Sequence, residues 1–503
     1  MYDVIVIGAG PVGENVAGRT ASAGLDTVIV EAELVGGECS YWACEPSKAL
    51  LRPVLLHAEA RDMPGLDPGP LDVEAVLRHR DRMSGDWDDQ SQVQWLDQAG
   101  VTLIRGHGRL SGPRTVEVTG ADGGVLRVSA RHAVAVCTGT RAALPPLPDL
   151  AALRPWTSRE ATSATRVPPR LAIVGGGVVA VEMATAWQAL GSQVTLLVRE
   201  SGLLPRMERF AADLVADALR ASGVDLRFDT TVTAATRTTD VRLELSDGQV
   251  PHADFRLELS DGQVPHADFR LELSDGRVLH ADELLLATGR APRTEDLGLE
   301  TVGLRPGDWL PSDDTYTVPG IPGDWLYAVG DVNQRALLTH QGKYQARIAG
   351  TVIADRARNR PLDRTPWSRH TGTADHAAVP QVVFTDPEIA GVGLTTDEAA
   401  RLGRDVDIVD YDLGLLAGAH QHSPGYRGRA RILLDPARGT VLGATFAGRG
   451  VAELVQSATF AIAGEIPLDR LWHAVPAFPT LSEVWLRLLE TYRDTTASLA
   501  GGR

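Results

Sequence analysis

Two cysteines lie five positions apart in Gly36-Gly37-Glu38-Cys39-Ser40-Tyr41-Trp42-Ala43-Cys44-Glu45-Pro46-Ser47-Lys48. Thiols at that spacing can close a disulfide and carry a pair of electrons. A chain of 503 residues with three cysteines has room for a core that needs no covalent staple. In a reducing compartment such a pair is better explained by redox chemistry than by stability. The run Ser47 to Leu56 reads as helical, and a helix N-terminus offers a thiolate unpaired N–H groups and positive dipole charge. Cys44, nearer that end, is therefore the expected thiolate. Two buried, inert cysteines are the competing reading, and Cys137, inside the apolar stretch Ala133 to Cys137, is read that way.

The segment before the pair is a dinucleotide fingerprint. Tyr2 to Ile7 is a continuous apolar strand that runs into Gly8-Ala9-Gly10-Pro11-Val12-Gly13 and an alanine-rich helix to Gly24; the next strand, Thr27 to Val30, ends in Glu31. Gly8, Gly10 and Gly13 permit a tight turn and close approach of a pyrophosphate to the helix N-terminus, while Glu31 accepts a ribose hydroxyl. A glycine triplet alone is weak, but strand, helix and acid at these offsets are strong. The pattern recurs at Gly175-Gly176-Gly177-Val178-Val179-Ala180, ahead of a helix to Leu190 and a strand from Gln193 to Val198. Ala180 takes the third glycine's place, which serves helix–strand packing. Two units predict two dinucleotides.

Where an NAD site would place an acid, this chain has Val198 and then Arg199, with Arg206 a turn later. A guanidinium binds a 2′-phosphate bidentately, which predicts NADPH over NADH. Glu200 offers Arg199 a competing carboxylate, so NADH stays as the second option.

Composition narrows the partners. A net charge of −16 and a pI near 5.3 argue against nucleic acid or an anionic membrane. No stretch approaches the ~18 apolar residues of a membrane span, and the first strand starts where a signal peptide would lie, so the expected location is cytoplasmic. Lys48 and Lys343 are the only lysines among 49 basic residues. A lysine kept four residues after Cys44 points to a need for a compact ammonium there, with chance retention as the alternative.

Together these residues resemble the flavoprotein pyridine nucleotide–disulfide oxidoreductases, such as dihydrolipoyl dehydrogenase, glutathione reductase and mercuric reductase, over nearly the whole chain. The resemblance includes Thr138-Gly139-Thr140 and Ala287-Thr288-Gly289-Arg290, each a return-strand turn. It includes Tyr327 to Val332, whose Asp331 it assigns to the flavin's ribityl chain, and Leu337 to His340 along the flavin. Gly108 falls where a backbone group meets the adenine, and Val382 to Gly393 opens a dimerisation domain.

The resemblance implies an α/β fold: two Rossmann-like FAD- and NAD(P)-binding domains plus an α+β C-terminal dimerisation domain. FAD would take residues 1–150 and 291–365, NAD(P) residues 151–290, and the homodimer interface residues 375–503. It further implies electrons passing from NADPH through FAD to a Cys39–Cys44 disulfide by way of Cys44, with Cys39 facing the substrate. Lys48 and Glu182 would pair beside the flavin ring, where an ammonium stabilises the reduced anion. No metal site is expected.

The resemblance breaks near the C-terminus. Dithiol-handling members end in His-Pro-Thr-x-Ser-Glu, whose histidine, held by the glutamate, shuttles protons for the interchange cysteine of the other subunit. This chain reads Phe478-Pro479-Thr480-Leu481-Ser482-Glu483. Phenylalanine cannot accept a proton, and Glu483 loses the group it orients. His473 stands five residues upstream; an extended segment of that length spans about 16 Å, so the default reading is a surface histidine. Mercuric reductase also lacks that histidine but carries C-terminal cysteines that are missing here. Tyr41 and Trp42 either narrow access to the disulfide or pack beneath the dimer interface. The expected function is an FAD-dependent NAD(P)H oxidoreductase that delivers electrons to a disulfide or other small acceptor. The alternatives are direct flavin reduction of a quinone, dye or metal ion, and a binding protein that has kept the fold.

One further feature is a tandem repeat. Arg242 to Phe255 recurs identically at 256–269, and a diverged copy at 270–282 continues into Glu283. Each copy alternates leucine and charge before an Asp-Gly turn, which is a hairpin signature, and an even repeat preserves the faces of a strand. Pro251 and Pro265, replaced by Leu279 in the last copy, remove ladder donors and send the earlier copies to an edge or a protruding loop. Residues 242–269 are expected to be a tolerated insertion in the NAD(P) domain rather than a solenoid, with a new binding surface as the alternative.

Overall fold

The computed structural model describes residues 1–239 and 267–501. Its N-terminal sheet places Tyr2–Ile7 at the centre, in parallel with Thr27–Glu31 on one side and Val125–Val136 on the other. Val4, Ile5 and Val6 are fully buried because helices and loops cover both faces, which is why the strand reads as an unbroken apolar run. Helix Pro11–Ser22 starts on proline, whose missing N–H is one of the unpaired donors of a first turn. It packs Val16 and Ala17 on Ala346 and Ala349 of helix Thr339–Ala357. Leu326–Ala328 joins the same sheet in parallel beside Val125–Val136.

A second parallel sheet runs Asp225–Arg227, Gln193–Leu197, Arg170–Val174, Glu283–Leu286. Where the chain passes between the two sheets, Thr140–Ala142 pairs antiparallel with Arg290–Pro292, Arg290 opposite Ala142, and the Arg290 guanidinium reaches back to donate to Thr140 Oγ1 at 2.7 Å. The C-terminal unit is a five-stranded antiparallel sheet, from Gln381–Val383 at one edge to Asp407–Asp412 at the other. One hydrophobic cluster unites Leu50 and Leu51 of the cysteine helix, Met183 and Trp187 of helix Val178–Ala189, and Val383, Ile389 and Ala447 of the C-terminal sheet. Residues of all three units therefore hold the redox loop in place.

The helix expected over Ser47 to Leu56 spans Cys44–Asp62. Pro46 falls in its first turn, where proline is tolerated, so Cys44 is itself the first helical residue.

The third repeat copy forms a hairpin, Ala267–Leu273 with Val278–Ala281, closed at Asp275-Gly276, where Gly276 has φ +79°. Val232–Thr239 pairs on its other side. The first two copies lie outside the described residues, apart from 267–269. Excision of 242–269 places Val241 where Phe269 now sits opposite Arg237, because each copy is followed by the same strand sequence. Replacing a fully buried phenylalanine by valine costs on the order of 2 kcal/mol, which a large domain tolerates. The excised protein is expected to purify folded, with unchanged turnover; loss of folding or turnover would show that the insertion supports the core or an interface.

Candidate active site

Cys39 sits in the short helix Gly37–Tyr41, and Cys44 opens Cys44–Asp62. Both are free thiols, and one side chain touches both. Thr339 Oγ1 lies 3.3 Å from Cys44 Sγ and donates to Cys39 Sγ at 3.2 Å. Thr339 is the first residue of helix Thr339–Ala357, so two helix N-termini converge on the sulfurs. The thiol hydrogen bond from Cys39 holds Cys44 down to about 6, helped by Thr339 and the charge of Lys48 and opposed by burial and Glu45. The same hydrogen bond, together with burial, pushes Cys39 far above the ordinary thiol range. The pair thus holds one proton and one negative charge, with the charge on Cys44.

A cavity of about 380 Å³ extends from Glu31, Gly108 and His107 past Gly8, Gly10, Thr138, Gly139 and Asp331 to Cys39 and Thr339. Glu31 is fixed at the strand end by the N–H groups of Ala9 (2.6 Å) and Glu33 (2.8 Å). A Cβ on Gly37 would meet Gly10 Cα at 2.8 Å, so bare backbone forms the floor there. Thr138 Oγ1 is buried without a hydrogen-bond partner among the described residues, and Asp331 accepts from Thr140 Oγ1 at 2.9 Å while burial pushes its carboxyl up. An acid for a ribose, a backbone floor for a pyrophosphate and polar groups left for a polyol are what FAD requires. The residues therefore fit that group. Gly13 does not line the cavity; a Cβ there would strike Gly8 O at 1.9 Å, so it serves helix–strand packing. Leu337 and His340 also lie off the cavity lining, and His340 bonds the Pro380 carbonyl instead. Thr339 between them is the residue that sequence reasoning passed over. Its threonine at the first position of a helix was the available signal.

Beside Cys39, Glu38 is gripped by Arg159 (2.9 Å), Arg290 (2.7 Å) and Arg293 (2.8 Å). Burial alone would raise its carboxyl, but Arg290 and Arg159 outweigh it and bring Glu38 to about 2. Arg159 also forks onto Glu33 and stacks 4.1 Å over the Trp42 ring. Tyr41 is buried and bonds the Val35 carbonyl. The two aromatics thus brace the redox loop within the subunit. Neither the cluster nor its partners were foreseen from the sequence, since they come from segments more than 100 residues apart.

Lys48 Nζ donates to Glu182 Oε2 at 2.8 Å, and Glu182 Oε1 accepts the Phe384 N–H at 3.0 Å. Lys48 also sits 5.0 Å from the Phe384 ring centroid. In the second fingerprint, Gly175 has φ +130°, and a Cβ there would meet the Ala287 carbonyl oxygen at 2.3 Å. Gly177 faces open space, Ala180 is fully buried, and Gly289 has φ +131°. Arg199 is 78 % exposed and ion-paired with Glu200 at 2.6 Å, while Arg206 is exposed.

At the C-terminal motif Phe478 is 74 % exposed. Glu483 accepts from Arg487 at 2.7 Å, and its Oε2 is buried with no hydrogen-bond partner among the described residues. His473 is exposed, and among the described residues its ring makes no hydrogen bond to Glu483. Within the subunit the acid–base dyad is not rebuilt.

The titration of Cys44 is directly measurable. In the Cys39→Ser variant the serine hydroxyl keeps a donor to Cys44, with Thr339 and Lys48 still beside it, so ultraviolet thiolate absorbance is expected to rise with pH around a midpoint below the ~8.5 of a free cysteine. Thr339→Val should move that midpoint upward. A midpoint at the free value in the single variant would contradict the arrangement.

Comparison with known proteins gives the family. The model of the pyridine nucleotide-disulphide oxidoreductases matches residues 2–346, and that of their dimerisation domain residues 379–488, which supports a homodimer. Dihydrolipoyl dehydrogenase from Haloferax volcanii is 30% identical over 97% of this chain and 95% of its own. Dihydrolipoyl dehydrogenase 3 from Pseudomonas aeruginosa is 31% identical over 96% of each. Two solved structures share the fold over 97% of this chain and 99% of theirs: the HOCl-induced flavoprotein disulfide reductase RclA from Escherichia coli, at 23% identity and a TM-score of 0.77, and LpdA from Mycobacterium tuberculosis, at 24% and 0.78. No helix among the described residues is long and apolar enough to cross a membrane. With the family model covering most of the chain and the cysteine pair and FAD-type cavity in one site, this chain belongs to the pyridine nucleotide–disulfide oxidoreductases.

Proposed function

We propose that the protein is an NADPH-preferring flavoenzyme that reduces a small disulfide through Cys39 and Cys44, in a cytoplasmic setting that keeps its product thiols reduced. The observation that carries this reading is the shared Thr339 hydroxyl, which holds both sulfurs at the end of the cavity that Glu31 begins. FAD, when bound, supplies the two-electron relay between a pyridine nucleotide and the cysteine pair. Cys44 stores the negative charge at two helix ends. Cys39 carries the exchange with the acceptor: its sulfur attacks one sulfur of the disulfide, the acceptor's S–S bond breaks, and Cys44 then displaces the second thiol. Lys48, held by Glu182, places an ammonium one helical turn from Cys44, where it favours the thiolate. Per turnover, one NADPH and one proton convert one disulfide to two thiols.

The nucleotide preference rests on Arg199 and Arg206 after a strand that lacks the NAD-type acid. Because Glu200 pairs with Arg199 in the structure, a 2′-phosphate has to displace that carboxylate. Purified protein is expected to hold FAD without a covalent bond and to show a higher kcat/KM for NADPH than for NADH, and Arg199→Glu should erase or invert the ratio. Equal use of both nucleotides by wild type and variant would refute the assignment. A second reading, direct reduction of a quinone or dye by the flavin, is favoured by one observation: the position of the family's acid–base histidine holds Phe478.

A further inference from the structure

The cations beside the cysteine pair, Lys48 and Arg159, are paired within the subunit, Lys48 with Glu182 and Arg159 with Glu33 and Glu38. Glu45 is different. It follows Cys44 in the first turn of the helix, and in that turn Cys44 is half-buried and Pro46 and Ser47 are buried, which leaves Glu45 as the exposed side chain. No hydrogen bond or ion pair to Glu45 exists among the described residues, and its charge is felt at both sulfurs. Within the subunit the dithiol therefore carries one exposed carboxylate with no counter-ion among the described residues, in a protein whose net charge is already −16.

We propose that Glu45 sets acceptor selectivity: its carboxylate repels anionic disulfides from the cysteine pair and favours cationic or neutral ones. The inference rests on the disulfide reading given above. Repulsion acts on the approach of the acceptor, before the exchange in which the Cys39 sulfur bonds one acceptor sulfur, the acceptor's S–S bond breaks and one thiol leaves. It therefore appears in kcat/KM and fades as salt screens exposed charges.

Three disulfides of nearly equal size test it: cystamine, which is dicationic; hydroxyethyl disulfide, which is neutral; and dithiodipropionate, which is dianionic. Wild type is expected to prefer cystamine over dithiodipropionate by about tenfold or more at low ionic strength, with the ratio shrinking in salt. Glu45→Gln should bring the ratio below about threefold, and Glu45→Lys should invert it, each rate being read relative to hydroxyethyl disulfide so that a change in the thiolate itself cancels. A ratio unchanged by Glu45→Gln, or the absence of any preference in wild type, would overturn the role of Glu45. If wild type reduces none of the three, the disulfide reading fails instead. Glu45 is then tested without turnover, by the rates at which trimethylammonioethyl and sulfonatoethyl methanethiosulfonate modify the reduced pair. Faster cationic modification that Glu45→Gln abolishes would support the selectivity, and equal rates would overturn it.

Discussion

Lipoamide and glutathione disulfide are expected to be poor substrates, despite an intact cysteine pair, by roughly 10²- to 10⁴-fold relative to family members that carry the C-terminal histidine, the usual contribution of a positioned acid–base. The structure sharpens the reason. Phe478 is exposed at that position, and the carboxylate that would orient an imidazole instead pairs with Arg487, its second oxygen buried and unbonded among the described residues. Meanwhile Cys39 holds its proton tightly because Cys44 carries the charge, so exchange at Cys39 needs a base, and a phenylalanine at position 478 cannot be one. Phe478→His gives Glu483 Oε2 a partner and is expected to raise lipoamide turnover by about tenfold or more. Lipoamide is the informative acceptor, since it is uncharged and indifferent to Glu45. Fast lipoamide reduction by wild type, abolished by His473→Ala, would show that His473 has taken over the proton transfer.

What could be read from the sequence follows from how local each signal is. The fingerprint around Gly8, Gly10 and Glu31 is contained in one βαβ stretch, where apolar runs, glycines and a terminal acid fix strand, turn and helix together, and the observed strands agree to within a residue. The cysteine helix begins three residues before the Ser47 expected from the sequence, and Pro46 fits inside it because it falls in the first turn. Thr339 and the grip of Arg159, Arg290 and Arg293 on Glu38 depend on tertiary approach between distant segments, which no periodicity encodes. The family resemblance places Leu337 to His340 along the flavin as one stretch. In the structure the helix beginning at Thr339 turns His340 toward Pro380.

Removal of Cys44 is expected to have the largest effect of any single substitution, because it takes away both the thiolate and the partner that resolves a mixed disulfide on Cys39. Cys44→Ser should lower disulfide turnover by on the order of 10⁴-fold or more, while NADPH-dependent reduction of a one-electron dye, which bypasses the pair, persists. The most direct measurement of the route is the absorption spectrum during anaerobic titration with NADPH, recorded for wild type and for Cys44→Ser. In wild type the first equivalent should leave much of the flavin oxidised and raise a long-wavelength band from the Cys44 thiolate beside it, and in Cys44→Ser the band should be missing and the flavin should bleach with that equivalent. Complete bleaching of wild type by the first equivalent, with no long-wavelength band and with disulfide turnover retained in Cys44→Ser, would contradict electron transfer through the cysteine pair.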